Sequence, residues 1–238
     1  MSRLTAVIPL RDGHHGKSRL APGFDETRRA NLIAAMARHV VDIASAAPSV
    51  GTVLVVTRDV PYVEAVLAGC MATVIQQPDP VIGLNGALAL GRAWAMADSG
   101  SGGILILHAD LPLLAVPDIE EIVDQAQSSS DLVIAADRHH VGTNALLMRW
   151  DRADPASLRR ADGFRFRFGE DSFRAHRAEA VQSGFVPVTV LQPGTELDLD
   201  TLGDWNLLPS ELRRALDADL PYPGPRIGLA PVLSHART

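Results

Sequence analysis

The sequence predicts an α/β protein in which a doubly wound, mostly parallel sheet lies between two layers of helices. Short apolar runs rich in β-branched residues alternate with amphipathic segments of helical period along most of the chain. The most apolar run, 104–107, is entered from glycines and followed by Asp110 and Pro112, as expected for a strand buried on both faces. Open α/β sheets bind ligands at the carboxyl ends of their strands, so Asp110 is the central candidate residue.

The first half of the chain supplies four predicted strands and three predicted helices. A long helix over 25–47 is indicated by apolar residues at three- and four-residue spacing, among them Leu32, Met36, Val40 and Ile43. The predicted strands are 4–9, 52–57, 72–76 and the Asp110 strand, and the other helices are 61–69 and a segment from about 86 to 97.

In the second half we predict a helix over 117–127, strands over 132–136 and 143–148, a helix from 169–172 through 183, and a strand over 186–190. Residues 152–162 form a loop or a short helix, and a last helical region runs to about 215. Residues 164–168 alternate with period two, which places phenylalanines on one face and arginines on the other. The short later strands suggest some antiparallel pairing. We expect one domain over 1–216 and a Pro/Gly-rich tail over 217–238 that forms an arm or is disordered.

Composition narrows the classes of partner. The net charge of −6 over 238 residues argues against broad attraction to nucleic acid or to an anionic membrane. The single cysteine excludes an internal disulfide framework and a cysteine-rich metal site. No signal-like segment stands at the start, and no apolar run approaches the roughly 20 residues that cross a bilayer. We therefore expect a soluble, cytoplasmic protein.

The loop after the first strand has the glycine and basic content of a phosphate-binding loop. Gly13 and Gly16 allow main-chain amides to approach an anion, and Lys17 and Arg19 supply charge. Neither a Walker A loop nor a G-x-G-x-x-G fingerprint is present. Lys17 is the only lysine of the chain, which indicates either codon bias or a site that needs a compact ammonium. The adjacent His14 and His15 have poor geometry for ligating one metal, and we interpret them as loop residues.

Three further stretches hold candidate binding residues, and two of these stretches have an alternative interpretation. Asn85, after Gly83, either caps a helix or contacts a base or ribose. Gly169 and Ser172 stand at a predicted helix start, where they either belong to the cap or bind a phosphate or carboxylate. Thr143 lies between two predicted strands, near Asp110 if the strand order is as supposed.

Carboxylates make a divalent-metal site plausible. Asp198 and Asp200 are two residues apart, so on an extended segment both face one way, and such a pair repels unless a cation lies between them. Together with Asp110 they form a candidate site for a hard divalent cation. The alternatives are a solvated loop edge for the pair and a turn cap for Asp110.

Six motifs, in this order, resemble the CofC/FbiD family of guanylyltransferases of coenzyme F420 biosynthesis. They are Lys17-Ser18-Arg19-Leu20-Ala21-Pro22, Gly83-Leu84-Asn85-x-Ala87-Leu88, Ala109-Asp110-Leu111-Pro112-Leu113-Leu114, Gly142-Thr143-Asn144-Ala145-Leu146-Leu147, Phe168-Gly169-x-x-Ser172-Phe173 and Leu197-Asp198-x-Asp200-Thr201. The resemblance runs from about residue 5 to 205 and implies a nucleotidyltransferase-type fold. Two features depart from it: His108 stands where a small residue or proline is more usual, and the connector 149–163 is longer than in some members.

The resemblance implies condensation of GTP with a small phosphorylated carboxylic acid and release of pyrophosphate. Mg²⁺ is assigned to Asp110, Asp198 and Asp200, of which Asp110 is also taken as catalytic together with Lys17. Lys17 and Arg19 are expected to hold the triphosphate and Gly83 and Asn85 the nucleoside. Thr143, Gly169 and Ser172 match the family's acceptor-binding positions.

The acceptor is the least determined feature. The family divides among phosphoenolpyruvate, 2-phospho-L-lactate and 3-phospho-D-glycerate, and bacterial members mostly resemble the phosphoenolpyruvate branch. The arginine-for-lysine bias suggests a high-GC bacterial genome, so we predict phosphoenolpyruvate. The product would pass to a later transferase of the pathway, and a homodimer is left open. A nicotinamide-dependent dehydrogenase is disfavoured by the missing glycine fingerprint, and a catalytically silent nucleotide-binding regulator by the carboxylates.

Overall fold

The computed structural model describes residues 3–11, 17–80, 83–128 and 130–217. Of the predicted tail 217–238, the structure describes the first residue, and the other residues lie outside the described part of the chain. Outside it too are four residues of the first loop, Gly13, His14, His15 and Gly16. The expectations for these residues therefore stay predictions.

The described chain alternates strands and helices. The strands are β1 (Arg3–Pro9), β2 (Val50–Thr57), β3 (Thr73–Gln76), β4 (Ser101–Leu107), β5 (Leu132–Ala136), β6 (Thr143–Arg149) and β7 (Val188–Val190). The helices are α1 (Glu26–Ala46), α2 (Val60–Val66), α3 (Gly83–Ala97), α4 (Val116–Ser128), α5 (Pro155–Gly163), α6 (Ser172–Gln182), α7 (Pro193–Glu196), α8 (Leu202–Leu207) and α9 (Ser210–Asp217). A short 3₁₀ turn covers Ser18–Leu20.

The strands form one seven-stranded sheet in the order β3-β2-β1-β4-β6-β5-β7 within the described residues. β6 pairs antiparallel with both β4 and β5, whereas the other strand pairs are parallel. One apolar cluster joins α1 and α4 to one face of this sheet, and a second joins α3 and α6 to the other. The predicted three-layer, mostly parallel architecture is confirmed, and β6 supplies the antiparallel pairing.

The central strand β4 is buried along its whole length, as its apolar sequence predicts. It begins two residues before Gly103 and ends at Leu107, so Asp110 lies three positions beyond the strand rather than at its last residue. Gly103 is required inside the strand because a Cβ there would lie 2.6 Å from the Met148 carbonyl oxygen of β6. The glycines therefore belong to the sheet and do not precede it.

Several helix bounds differ from the sequence predictions. α2 ends at Val66, three residues before the predicted end at Gly69, and the polar connector after residue 152 contains α5. The last helical region is two helices, since α8 ends at Leu207 before Pro209. α7 was not predicted, because four residues are too few to show a helical period.

The segment 164–168, here called the phenylalanine segment, keeps its predicted alternation without being a strand. Phe164, Phe166 and Phe168 are buried, and the two arginines between them are exposed. The phenylalanines pack into the cluster that contains α3 and α6. No helix among the described residues is long and apolar enough to cross a bilayer.

Candidate active-site cleft

A cleft of about 570 Å³ opens at the edge of the sheet where β1 and β4 end and β6 begins. Its walls come from the loops after these strands, from the start of α6 and from the stretch after α7. It is lined by Arg11, Lys17, Ser18, Arg19, Leu84, His108, Asp110, Asp137, Gly142, Thr143, Asn144, Gly169, Ser172, Asp198 and Asp200. Eight of the ten site residues predicted from the sequence are among them.

Three carboxylates meet at one end of this cleft. One side-chain oxygen each from Asp110, Asp198 and Asp200 lies within 4.8 Å of the other two. The chain after α7 is extended here, with Leu197 and Leu199 buried and the two aspartates half-buried on the opposite side. The Leu199 N–H donates a hydrogen bond of 3.0 Å to the Asp110 carbonyl, which holds both aspartates beside Asp110.

Lys17 lies directly on this acidic cluster. Its Nζ donates to Asp110 Oδ2 and to Asp200 Oδ1, and its backbone has a φ of 56°. Burial alone would lower the pKa of Lys17, but the charges of Asp110 and Asp200 outweigh it and raise the pKa. The lysine is therefore a permanent cation in the cleft.

The same charges affect the aspartates in opposite directions. Burial favours the neutral form of Asp110, yet Lys17 and His108 hold its pKa below the ordinary value. Burial, with the charges of Asp110 and Asp200, raises the pKa of Asp198. When Asp110, Asp198 and Asp200 are all ionised, the cluster carries more negative charge than Lys17 alone can neutralise.

The donor set fits a hard divalent cation. Lys17 occupies one oxygen of Asp110, but the other, Oδ1, is buried and has no hydrogen-bond partner within the described residues. An ionised oxygen without a partner is costly to bury, and it would be satisfied by a cation held jointly with Asp198 and Asp200. Oxygen ligands of this kind are preferred by Mg²⁺ and related ions.

The other end of the cleft is built from β6, α6 and the turn between the phenylalanine segment and α6. The Thr143 N–H donates to Ser172 Oγ at 2.9 Å, and Thr143 Oγ1 lies 3.0 Å from His176 Nδ1. Gly169 has a φ of 132°, a conformation that favours glycine and turns the chain toward α6. These contacts join β6 to α6 at the wall of the cleft, which both Thr143 and Ser172 line.

His108 lies in the wall between the two ends of the cleft. Its main-chain N–H donates to the Asn144 carbonyl at 3.2 Å, and the centroid of its ring is 5.2 Å from that of Phe168. Its Nε2 is buried and makes no hydrogen bond to any described residue. This nitrogen therefore has a hydrogen-bonding capacity that no described residue uses.

Gly83 and Asn85 are the two predicted site residues that do not line the cleft. α3 begins at Gly83, with a φ of 75°, so Asn85 lies in the first turn and does not cap the helix. Its Nδ2 donates to the Phe168 carbonyl at 3.0 Å, and its Oδ1 accepts from the Phe168 N–H at 2.8 Å. Leu84, between them, does line the cleft.

Sequence reasoning placed Asn144 in a candidate motif without giving it a role, and it missed His176. Asn144 Nδ2 donates to the Thr195 carbonyl at 2.9 Å and to Asp198 Oδ1 at 3.3 Å, which orients that aspartate. His176 follows Ser172 by four residues on one helix, and this spacing was the signal that could have paired them.

A family model described as "Guanylyl transferase CofC like" matches residues 4–201. The chain belongs to the CofC family. Its relatives include phosphoenolpyruvate guanylyltransferases from Rubrobacter xylanophilus, 36% identical over 84% of this chain and 90% of the relative, and from Sphaerobacter thermophilus, 33% identical over 84% and 89%. A 3-phospho-D-glycerate guanylyltransferase from Phenylobacterium zucineum is 32% identical over 82% of this chain and 84% of that protein.

Solved structures agree with this CofC fold at lower identity. A candidate nucleotide-diphospho-sugar transferase from Desulfovibrio desulfuricans G20 has a TM-score of 0.67 and 16% identity, covering 87% of this chain and 86% of its own. A CMP:2-keto-3-deoxy-manno-octonic acid synthetase complexed with CTP has a TM-score of 0.58 and 14% identity, covering 90% and 98%. This CofC protein therefore has the nucleotidyltransferase fold and belongs to a family of guanylyltransferases.

Proposed function

We propose that this CofC protein joins GTP and phosphoenolpyruvate to give enolpyruvoyl-2-diphospho-5'-guanosine and pyrophosphate, as a step of coenzyme F420 biosynthesis. The names of relatives that are 33% and 36% identical over 84% of this chain support the reaction. The single observation that carries the proposal is the partnerless Asp110 Oδ1, buried beside Asp198 and Asp200 in a cleft that also holds Lys17 and Arg19.

Asp110, Asp198 and Asp200 are the residues that would hold the metal. Bound there, Mg²⁺ would neutralise phosphate oxygens and stabilise the charge that develops on pyrophosphate. Lys17, which contacts the acidic cluster, and Arg19 line the same cleft and would bind the triphosphate. We assign the nucleoside to the start of α3, with Gly83 and Leu84 near the base or ribose and Asn85 holding this helix against Phe168.

The acceptor is assigned to Thr143, Gly169 and Ser172. In the reaction an oxygen of the acceptor phosphate attacks the α-phosphorus of GTP, and the bond from that phosphorus to the bridging oxygen of pyrophosphate breaks. A phosphate is already anionic at neutral pH, so this step requires alignment and charge neutralisation rather than a general base. Hydroxyl groups and main-chain amides on the cleft wall suit this alignment. The product would then pass to a transferase of the same pathway.

A second acceptor, 3-phospho-D-glycerate, is favoured by one observation. It carries a hydroxyl that phosphoenolpyruvate lacks, and a site built for that hydroxyl needs an added polar partner. Nε2 of His108 is a buried nitrogen in the cleft wall without a hydrogen-bond partner in the described chain. The Phenylobacterium zucineum relative bears the name of that activity. The third acid, 2-phospho-L-lactate, is a near-isostere of phosphoenolpyruvate and differs from it in shape. A pocket can use such a difference to discriminate between the two by about 1–3 kcal/mol of binding free energy.

The test is pyrophosphate release from GTP with Mg²⁺ and each of the three acids at equal, subsaturating concentration. We expect the fastest release with phosphoenolpyruvate, and little release when CTP replaces GTP. Faster release with 3-phospho-D-glycerate or 2-phospho-L-lactate would overturn the acceptor and leave guanylyl transfer intact. Absence of release with every acid, in a protein that still binds GTP, would favour a nucleotide-binding regulator.

A further inference from the structure

His176 is fully buried, and both of its ring nitrogens are engaged by other parts of the chain. Nε2 accepts the Arg167 N–H at 2.9 Å, and Nδ1 lies 3.0 Å from Thr143 Oγ1. The imidazole stacks on Phe164, with ring centroids 6.3 Å apart, and meets the edge of Phe168 at 4.4 Å. The ring is therefore fixed in position from three sides.

These contacts determine which nitrogen carries the proton. A main-chain N–H can only donate, so the nitrogen that faces Arg167 N must be the unprotonated acceptor. In a neutral imidazole the other nitrogen then carries hydrogen, and Nδ1–H faces two acceptors, Thr143 Oγ1 and the Ser172 main-chain carbonyl. Because this nitrogen is protonated, it can only donate to Thr143 Oγ1 and cannot accept from it. Burial, together with the charges of His108 and Arg167, lowers the pKa of His176 to about 4, so the ring is neutral at physiological pH.

The consequence falls on the Thr143 hydroxyl. Because its oxygen accepts from His176, its own hydrogen is directed away from the histidine and is free to donate. Ser172 is in a matching state, since its Oγ accepts the Thr143 N–H and keeps its hydrogen for another acceptor. Both residues line the cleft. Two residues whose hydroxyls can donate thus line the cleft in which the acceptor is proposed to bind.

We propose that His176 is a positioning residue that holds the Thr143 hydroxyl as a hydrogen-bond donor to a phosphate or carboxylate oxygen of the acceptor. This inference rests on the proposed assignment of the acceptor to Thr143, Gly169 and Ser172. His176 itself touches no substrate in this arrangement. It acts through Thr143, and its effect is confined to the acceptor end of the cleft.

A purely structural role predicts a different pattern. Loss of packing under α6 would disturb the whole cleft and would change the KM for GTP and for the acceptor together. Loss of an oriented donor would change acceptor binding alone. The two roles also differ in whether the effect of the histidine depends on the hydroxyl of Thr143.

The experiment is a double-mutant cycle of His176→Phe and Thr143→Val, with kcat and both KM values measured for GTP and phosphoenolpyruvate. We expect His176→Phe to raise the acceptor KM by about tenfold, because the Thr143 hydroxyl is no longer oriented as a donor to the anion. The KM for GTP should stay within about twofold. In the Thr143→Val background, His176→Phe should add less than about twofold. Equal effects on both substrates, or an undiminished effect in that background, would overturn the proposal.

Two further variants keep the test decisive. His176→Asn retains an N–H near the position of Nδ1 and should recover part of the acceptor affinity, and it carries the test if the phenylalanine variant does not fold. His39→Phe is the matched control, since His39 is a buried histidine on α1 that bonds the Leu114 carbonyl at 2.9 Å. It should leave the acceptor KM within about twofold of wild type.

Calorimetric titration of the full chain with phosphoenolpyruvate separates this inference from the proposed function. Binding that weakens in His176→Phe, in a protein that transfers no guanylyl group, would overturn the function and uphold the inference. Wild-type binding of phosphoenolpyruvate that is unchanged by His176→Phe and by Thr143→Val would overturn the inference, as would no binding to the wild-type protein.

Discussion

One oxygen of the Asp110 carboxylate pairs with Lys17, and the other is buried without a partner in the described chain. We predict that Asp110→Asn lowers turnover by at least about a hundredfold, since it keeps the size of the side chain and removes the charge that a cation needs. Pyrophosphate release at limiting Mg²⁺ measures the loss, and circular dichroism checks that the fold persists.

The exposed Asp131, paired with Arg160, offers a matched Asp→Asn control outside the cleft. Asp131→Asn should retain wild-type turnover. Near-normal turnover of Asp110→Asn at limiting Mg²⁺ would show that Asp110 is not a metal ligand.

Lys17 is the single lysine, and its ammonium lies on two carboxylates at once. Lys17→Ala should cost about 2–4 kcal/mol of transition-state stabilisation, as loss of a preorganised charge does. Lys17→Arg should recover only part of this, because a planar guanidinium is larger than the ammonium that fits between Asp110 and Asp200. The ratio kcat/KM for GTP is the measurement. Full activity of the arginine variant would reduce the lone lysine to codon bias.

Among the elements, α3 and the phenylalanine segment are joined by the two hydrogen bonds between the Asn85 amide and the Phe168 main chain. Asn85→Leu leaves that N–H and carbonyl without partners, and we predict a loss of about 1–3 kcal/mol in the free energy of unfolding. These two hydrogen bonds connect α3, the proposed nucleoside end, to Phe168, which directly precedes Gly169 of the proposed acceptor site. The KM for the acceptor and the KM for GTP should therefore both rise.

Denaturant melts and steady-state kinetics measure the two effects of Asn85→Leu. Asn206→Leu on the exposed face of α8 is the control and should change neither. A rise in the KM for GTP alone, at unchanged stability, would instead indicate the direct nucleoside contact predicted from the sequence.

A third apolar cluster explains how the short C-terminal helices contribute to the site. Leu20, which follows Lys17 closely, and Leu199, which lies between the two aspartates, are both fully buried in it with Trp205 of α8. These packed side chains hold the Lys17 loop against the stretch after α7. The geometry of the acidic cluster therefore depends on short helices that contain none of its three aspartates.

For the protein as a whole, His176 makes stability depend on pH. Its folded pKa, about 4, lies below the ordinary 6.5, so the unfolded chain binds more protons between these values and stability falls as pH falls. Between pH 7 and pH 5 this group should cost the wild-type protein about 2 kcal/mol of unfolding free energy, a loss that His176→Phe escapes. Urea titrations of both proteins at the two pH values measure the difference. Equal losses in the two proteins would contradict the prediction.

Local periodicity was sufficient for much of this architecture. The apolar runs predicted every strand of the sheet, and the spacing of Leu32, Met36 and Val40 predicted α1 to within one residue at each end. Alternation of leucine and aspartate over 197–200 predicted that Asp198 and Asp200 face one way, as they do. These features depend on neighbours within a few residues, whose geometry is set by the backbone itself.

The contacts that give the cleft its chemistry join residues far apart in the chain, and only the packed sheet decided them. Lys17 meets Asp110 across 93 positions and Asp200 across 183, and Thr143 meets His176 across 33. The sequence identified Asn85 as a site residue but not its partner Phe168, 83 positions away. Such pairs follow from strand order and helix packing, which fix distances between segments that no local spacing encodes.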